Sequence, residues 1–365
     1  MNDIEKARYK KKVIHILTKY GININDEGTP LVVNIKQLQY QIAALKNHRY
    51  EYLASKYSSY LAKPEEIEIE KIMPRIEVVT TPKQSQLWQY ATSFWSVPVT
   101  TGYGRRIRIL VFDEQNSKLI GILGLSDPVI GLGVRDQFIG WDKDTRTEKL
   151  YHVLSAYVLG ALPPYNQILG AKLIALLCQS WDILKIFKEK YTGKETVIKK
   201  ETKPAELVLI DTMGAYGKSA IYTRLKGWKF VGYTHGSSHL HLTVPELWEI
   251  VKQILPEEKF KRYKFGQGPN WKMRTVRDAL KLVGFNEKIL EIGWKRGYYI
   301  CPLAVNWKEY LLGEDEEPIY NLYTVEMLKE YWLERWVKPR KKYLLEKLFS
   351  EQEINKEAVG DTKFL

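Results

Sequence analysis

The sequence predicts an α/β fold, with a mixed sheet at the centre of the chain and helical regions flanking it on the N- and C-terminal sides. Three observations carry that expectation. Residues 107–125 hold two apolar, β-type runs separated by a polar turn, which is the pattern of a hairpin. Residues 150–177, LYHVLSAYVLGALPPYNQILGAKLIALL, change from a strand-like run to helical spacing across Gly160 and Pro163-Pro164, which is the pattern of a strand–loop–helix crossover. The segments on either side recur mostly at helical periods. Hairpins followed by crossovers require antiparallel and parallel pairing in one sheet. The expected division is a helical region at 1–80, an α/β core at 81–250 and a basic helical region at 251–365.

In chain order, residues 3–20 read as a helix stopped at Gly21, with Ile4, Val13, Ile14, Ile16 and Leu17 as its apolar set. A second, long helix is expected over 35–61, closed by Pro64. Residues 64–79 form a charged connector with some period-two character, and 82–95 a helix. The Gly- and aromatic-rich loop 95–106 leads into a strand at 107–113, a turn at 114–117 and a strand at 118–125. A short strand is expected around 138–140. After the crossover the helix is expected to run unbroken to Tyr191. A strand follows at 206–211, then a short helix carrying Ile221, Tyr222 and Leu225, and strands at 228–234 and 239–244. Helices are expected at 271–283, 286–292, 303–312 and 325–353, the last interrupted near Pro339.

Composition narrows the function. A chain of 365 residues with 45% hydrophobic and 27% charged residues is globular in character. No apolar run is long enough to span a bilayer, and MNDIEKARYKKK lacks the apolar segment of a signal peptide, so a cytoplasmic protein without membrane association is expected. Two distant cysteines, Cys178 and Cys301, exclude paired-cysteine zinc motifs and suit a reducing compartment. The net charge of +13 favours a polyanion such as DNA or RNA. That charge is concentrated. Residues 252–300 hold 12 Lys and Arg against 5 Asp and Glu. Lys272, Arg274, Arg277, Lys295 and Arg296 are interleaved there with Trp271, Trp294, Tyr298 and Tyr299. Cations neutralise phosphates and flat rings stack on unpaired bases. The helix–turn–helix proportions of 271–292 point the same way. Arg105 and Arg106 are the next candidates. The opposing reading is a solvated basic face with its aromatic residues buried.

Other motifs are weaker. His235, His239 and His241 lack an evident further ligand, so no metal is expected. Asp113, Asp127, Asp136, Asp142 and Asp211 sit where a two-metal nuclease would place carboxylates, but equally where turns and caps use Asp. Gly214–Ser219, GAYGKS, lacks the earlier glycine of a phosphate-binding P-loop. The start of the helix near Gly170 offers free N–H groups to an anion, with small residues at Gly170 and Ala171.

The blocks WSVPVTTGYGRRIRILVFD (95–113), KLIGILGLSDPVIGLGVRDQFIGWD (118–142), AYVLGALPPYNQILGAKLIALL (156–177), DTMGAYGKSAIYTRL (211–225), GYTHGSSHLHL (232–242), GPNWKMRTVRDALKLVGF (268–285) and YWLERWVKPR (331–340) resemble the Druantia anti-phage system protein DruA family. The resemblance implies a role in prokaryotic defence, alongside other defence-system subunits. It departs from the expected pattern at Ser155, where an acid is expected, and at Lys218, where Arg is expected. The core also resembles the GNAT acyltransferase superfamily, in which a strand leads to a [QR]-x-x-G-x-[GA] loop that cradles the pyrophosphate of coenzyme A. Gln167, Gly170, Ala171 and Lys172 occupy that loop here, with Lys172 in place of the last small residue. The resemblance implies coenzyme A or an acyl-coenzyme A as cofactor and Tyr222 as a proton donor to the leaving thiolate. Three functions are thus expected to compete: a nucleic-acid-binding defence component with an acyltransferase-like core, the same protein with a non-catalytic core, and a metal-dependent nuclease.

Overall fold

A computed structural model of the chain describes residues 1–32, 47–95, 99, 102, 104–196, 200–214, 217–234, 242, 244–258, 271–290 and 295–358. In chain order its elements are α1 (Asp3–Lys19), β1 (Ile22–Ile24), β2 (Pro30–Val32), α2 (Asn47–Tyr57), β3 (Pro74–Val78), α3 (Pro82–Thr92), β4 (Arg106–Asp113) and β5 (Lys118–Ser126). Then come α4 (Gly133–Ile139), α5 (Lys143–Lys149), β6 (Val153–Ala161), α6 (Gly170–Leu177), α7 (Trp181–Tyr191), β7 (Leu209–Met213) and β8 (Lys229–Thr234). The chain continues through α8 (Pro245–Ile254), α9 (Trp271–Leu282), β9 (Arg296–Pro302), α10 (Trp307–Leu312), α11 (Val325–Trp332) and α12 (Lys341–Ala358). These elements fall into two compact units. One holds α1, β1, β2, α8 and α9; the other holds the remaining elements.

The smaller unit is built on α1 and α8. A capping box at Asn2 and Glu5 starts α1, and Val13 and Leu17 are its buried residues. Ile4 and Ile14 are exposed, so the apolar stripe of this helix is narrower than its sequence suggests. In α8, Leu247, Ile250, Val251 and Ile254 are buried. The Tyr20 hydroxyl and the Lys19 amine both bind the Glu246 carboxylate and tie the two helices together.

The larger unit is organised by a seven-stranded sheet of order β3-β4-β5-β6-β7-β9-β8. The expected hairpin is present, with Arg106 opposite Ser126 and Asp113 opposite Lys118. Among the described strands only β6 and β7 run parallel, pairing Val153, Leu154 and Ser155 with Leu209, Ile210 and Asp211. Neighbouring residues divide between two cores. Leu154, Ala156, Ile210, Tyr299 and Cys301 join α6, α7, α11 and α12, whereas Val153, Leu209, Tyr298 and Ile300 join α4 and α10. Side chains alternate along a strand, so these cores lie on opposite faces of the sheet.

Several elements differ from expectation, each for a local reason. Residues 138–140 end helix α4 rather than form a strand: the Asp136 carboxylate accepts the Leu132 N–H, and Gly140 closes the helix in the left-handed region. The helix after the crossover is two helices, because the Ser180 hydroxyl caps α7 at the Ile183 N–H and Gln179 and Trp181 bond across to Tyr323. Residues 218–224 form turns rather than a helix. Their carbonyls at Ala220, Ile221 and Thr223 are taken by the Lys172 ammonium instead of by N–H groups further along the chain. The expected strand at 206–211 begins only at Leu209, and the helix expected from 303 begins at Trp307. In the 64–79 connector, β3 joins the edge of the sheet. Residues 296–302, read as part of a helical basic region, are strand β9, lying between β7 and β8. The expected second helix is described only as α2, which ends at Tyr57, and the expected strand at 239–244 lies largely outside the described residues. No helix is long and apolar enough to cross a membrane among the described residues.

Candidate functional site

The crossover to α6 follows the C-terminal end of β6, the strand whose first three residues, Val153–Ser155, make the one parallel pairing among the described strands; β7 pairs with β9 along its whole length on its other edge. Ligands in α/β sheets favour the carboxyl ends of such strands, so the residues gathered here come first. The turn 165–168 is pinned from below by Tyr165, which is fully buried and donates its hydroxyl proton to Asp113 at 2.8 Å. Leu169 takes a left-handed conformation, and its carbonyl accepts the Trp332 indole N–H at 3.1 Å. Gly170 is packed so closely that a Cβ would lie 2.6 Å from the Tyr165 carbonyl oxygen. Ala171 and Gln167 are half-buried.

Lys172 is buried, and its Nζ donates to the carbonyls of Ala220, Ile221 and Thr223 at 2.7, 2.9 and 3.2 Å. An ammonium has three protons, so its donors are fully engaged. It also lies 4.0 Å from the Trp336 ring centroid. Burial, with Arg340 nearby, pushes its pKa down to about 8, while three carbonyl acceptors favour the charged form. Tyr222 belongs to the stretch that Lys172 holds. Its ring packs against Trp228 at 4.6 Å and Tyr299 at 4.8 Å, and burial raises its pKa. The expected cofactor loop and proton donor are therefore brought together in space, through the hydrogen bonds of the Lys172 amine to the chain around Tyr222.

On the opposite face of the same strands lies a polar cluster that sequence reasoning did not assemble. Asp211 is buried and accepts the Ser155 hydroxyl at one oxygen and the Tyr298 hydroxyl at the other, the latter at 2.8 Å. Arg135, also buried, approaches Asp211 at 3.9 Å, bonds Asp136 at 3.0 Å and donates to the carbonyls of Val129 and Ile130. Arg146 and the Trp141 indole complete the shell of Asp136. Burial raises the Asp211 pKa against the pull of these donors. The sequence signal available was the pairing of Arg135 with Asp136 beside two apolar positions. It is indistinguishable from a surface ion pair until the fold places it.

The five aspartates considered for a nuclease fall in four places, and only Asp136 and Asp211 share one. Asp113 serves Tyr165 and Gln115, Asp127 serves Arg105, Asp136 and Asp211 belong to the Arg135 cluster, and Asp142 caps α5. Among the described residues, no group of three or more His, Cys, Asp or Glu could hold a metal ion. His235, His239 and His241 lie outside the described residues.

The basic residues are also sorted by the structure. In α9, Val276, Ala279 and Leu280 are buried. Arg277 pairs with Asp278 at 3.0 Å, and Lys281 with Glu287 at 2.6 Å. Arg274 is half-buried, with Nε and Nη2 shielded and lacking hydrogen-bond partners among the described residues. The Lys272 side chain lies outside the described residues, as does Trp294. Residues 287–290 form a single 3-10 turn, so the described part of 286–292 is not a second full helix. Lys295 is exposed. Arg296 is half-buried in β9 and bonds the Gly214 carbonyl. Tyr298 and Tyr299 are buried, which removes them as stacking surfaces.

Arg105 is committed to Asp127 and to the Tyr151 carbonyl, and its guanidinium lies 3.9 Å from the Tyr151 ring centroid. Arg106 is exposed and joins Arg108 near Lys190. Burial and these two guanidiniums hold the Lys190 amine below its ordinary pKa. Tyr157 lies in the same neighbourhood, with its ring across β5 at Gly124, where a Cβ would meet Tyr157 Cζ at 2.6 Å.

Comparison with known proteins fixes the family. The family profile described as Druantia protein DruA matches residues 31–313. Druantia protein DruA of Escherichia coli (strain UMEA 4076-1) is 36% identical over 356 residues, covering 93% of this chain and 88% of that protein. No solved structure matches the chain. With a family profile across most of the sequence and identity sustained along nearly all of a curated relative, the chain belongs to the Druantia protein DruA family, a family of anti-phage defence components.

Proposed function

We propose that this chain is a nucleic-acid-binding component of its defence system and that its α/β core is a scaffold rather than an acyltransferase. One observation carries the first half. Lys190 Nζ donates to the Arg106 carbonyl at 2.7 Å, and the Arg108 and Arg106 guanidiniums, after burial, help to hold that amine below its ordinary pKa, with Tyr157 beside them. Like charges held together raise the local potential and favour a polyanion, above all a phosphate backbone. Binding of labelled DNA and RNA should weaken steeply with salt. Arg106→Gln with Lys190→Gln should reduce both affinity and the salt slope, by about 0.7–0.9 for each phosphate that is no longer neutralised. Unchanged affinity and slope would remove this surface from the reading.

The scaffold half rests on Lys172 and Tyr222. The amine that would meet a pyrophosphate is saturated by carbonyls, and the phenol that would donate a proton is packed between rings. An acyl-donor-binding core is the second reading, favoured by the opening of α6 directly after β6. In it coenzyme A would lie on the N–H groups of Gln167–Ala171. Thermal shift with coenzyme A and acetyl-coenzyme A separates the two. A ligand at about 100 times its Kd adds roughly 2.7 kcal/mol of stability. We expect no shift at millimolar ligand, and a clear rise in Tm would reverse the order of the two readings.

A further inference from the structure

We propose that Phe138, Trp307, Lys229 and Lys308 form a stacking platform for unpaired bases, so that the nucleic acid taken by this chain is single-stranded. The inference rests on the nucleic-acid reading above and deepens it. Three elements build the platform: α4 supplies Phe138, the first residue of β8 supplies Lys229, and α10 supplies Trp307 and Lys308. The two rings are nearly parallel, with centroids 6.2 Å apart and an interplanar angle of 14°. Both are half-buried, so each packs on the core while keeping part of its surface in solvent. This separates them from Tyr298 and Tyr299, which are buried and can meet no base.

Two ammonium groups lie over the Phe138 ring. Lys229 Nζ lies 4.9 Å and Lys308 Nζ 5.8 Å from the Phe138 centroid. Among the described residues neither amine lies within ion-pair distance of a carboxylate. A base that extends the stack places its sugar and phosphates a few ångströms to the side, within reach of such amines. A duplex keeps its bases stacked on one another and offers this surface only its backbone. Ring surface left in solvent beside Trp307, together with the neighbouring cations, therefore favours unpaired strands.

The experiment measures binding of labelled oligo(dT) and of a blunt duplex of equal length, by fluorescence anisotropy at two salt concentrations. Trp307→Leu keeps an apolar side chain but removes the flat ring, and Trp307→Phe restores a ring. We expect Trp307→Leu to weaken oligo(dT) binding about tenfold, with duplex affinity unchanged and Trp307→Phe close to the parent. Lys229→Gln with Lys308→Gln should lower the salt slope for oligo(dT). Lys229 is exposed and Lys308 half-buried, and this double variant carries the test if Trp307→Leu fails to fold. Unchanged oligo(dT) binding and slope in folded variants would overturn the platform and leave the nucleic-acid reading standing. A parent protein that binds neither probe would overturn both.

Discussion

Single side chains decide how the core is read. His152 is buried, and its Nδ1 faces the Glu206 carbonyl at 2.9 Å, so the neutral ring must donate from that nitrogen. Burial is the main cause that lowers its pKa to about 4, from an ordinary value near 6.5. The depressed value means that the folded state resists protonation. The stability held by the neutral ring is complete above about pH 6.5 and is lost as pH falls toward 4. The full difference is about 3 kcal/mol, of which roughly 2 kcal/mol should be gone at pH 5. Urea midpoints at pH 7 and pH 5 should therefore separate more in the parent than in His152→Phe, and equal separations would refute the assignment. Lys172 gives a second residue-level test. Lys172→Met strands three carbonyls and should cost about 2–4 kcal/mol in urea unfolding. A loss under about 0.5 kcal/mol would show that the amine does not hold residues 220–223. Sequence marked Lys172 as the departure from a phosphate loop, but not its three carbonyl partners, which lie about fifty residues away. Tyr298 and Tyr299 show the converse. A Lys-Arg-Gly-Tyr-Tyr run looks like a surface until β9 is known to be an interior strand.

At the scale of elements, the boundaries that sequence missed are those set by partners distant in the chain. Helical periodicity continues through 174–191, so nothing in the apolar pattern announces the break that Ser180 imposes. Ser180→Ala should cost about 1 kcal/mol, as expected for a helix N-cap, and thermal unfolding will measure it. The start of α6 offers a sharper prediction. A Cβ at Gly170 has no room beside the Tyr165 carbonyl, so Gly170→Ala should destabilise by about 1–3 kcal/mol through overpacking alone. Gly170→Glu therefore perturbs the fold as well as any anion, and it cannot serve alone as a probe of coenzyme A binding. The hairpin β4–β5 and the strand of the crossover were legible because their signals are local. The turn at 218–224 was not, because its helical pattern is overridden by an ammonium from another element.

For the whole molecule, the fold class was legible and the strand order was not. Alternating hairpins and crossovers announce a mixed sheet, but nothing in the sequence says that the strand at 296–302 is inserted between those at 209–213 and 229–234. Among the described strands β8 pairs with β9 alone, so removing β9 detaches β8 and bares the edge of β7. A chain ending at residue 290 should therefore fail to unfold cooperatively, whereas a chain ending at 350 should retain its transition. Calorimetry of the two products distinguishes them. A cooperative transition in the shorter chain would mean that the sheet closes without β9.

The late insertion of β9 also sets a clock on synthesis. A ribosome adding about 5–20 residues per second needs roughly 5 to 20 s to travel from Met213 to Pro302. Throughout that interval β7 has been made but has only the short parallel pairing with β6, and its other edge is an open template for neighbouring nascent chains. The buried Asp211 lies on that waiting strand, still without Tyr298 to satisfy it. Until β9 is made, Asp211 has only the Ser155 hydroxyl of the two hydroxyl donors that hold it in the finished core.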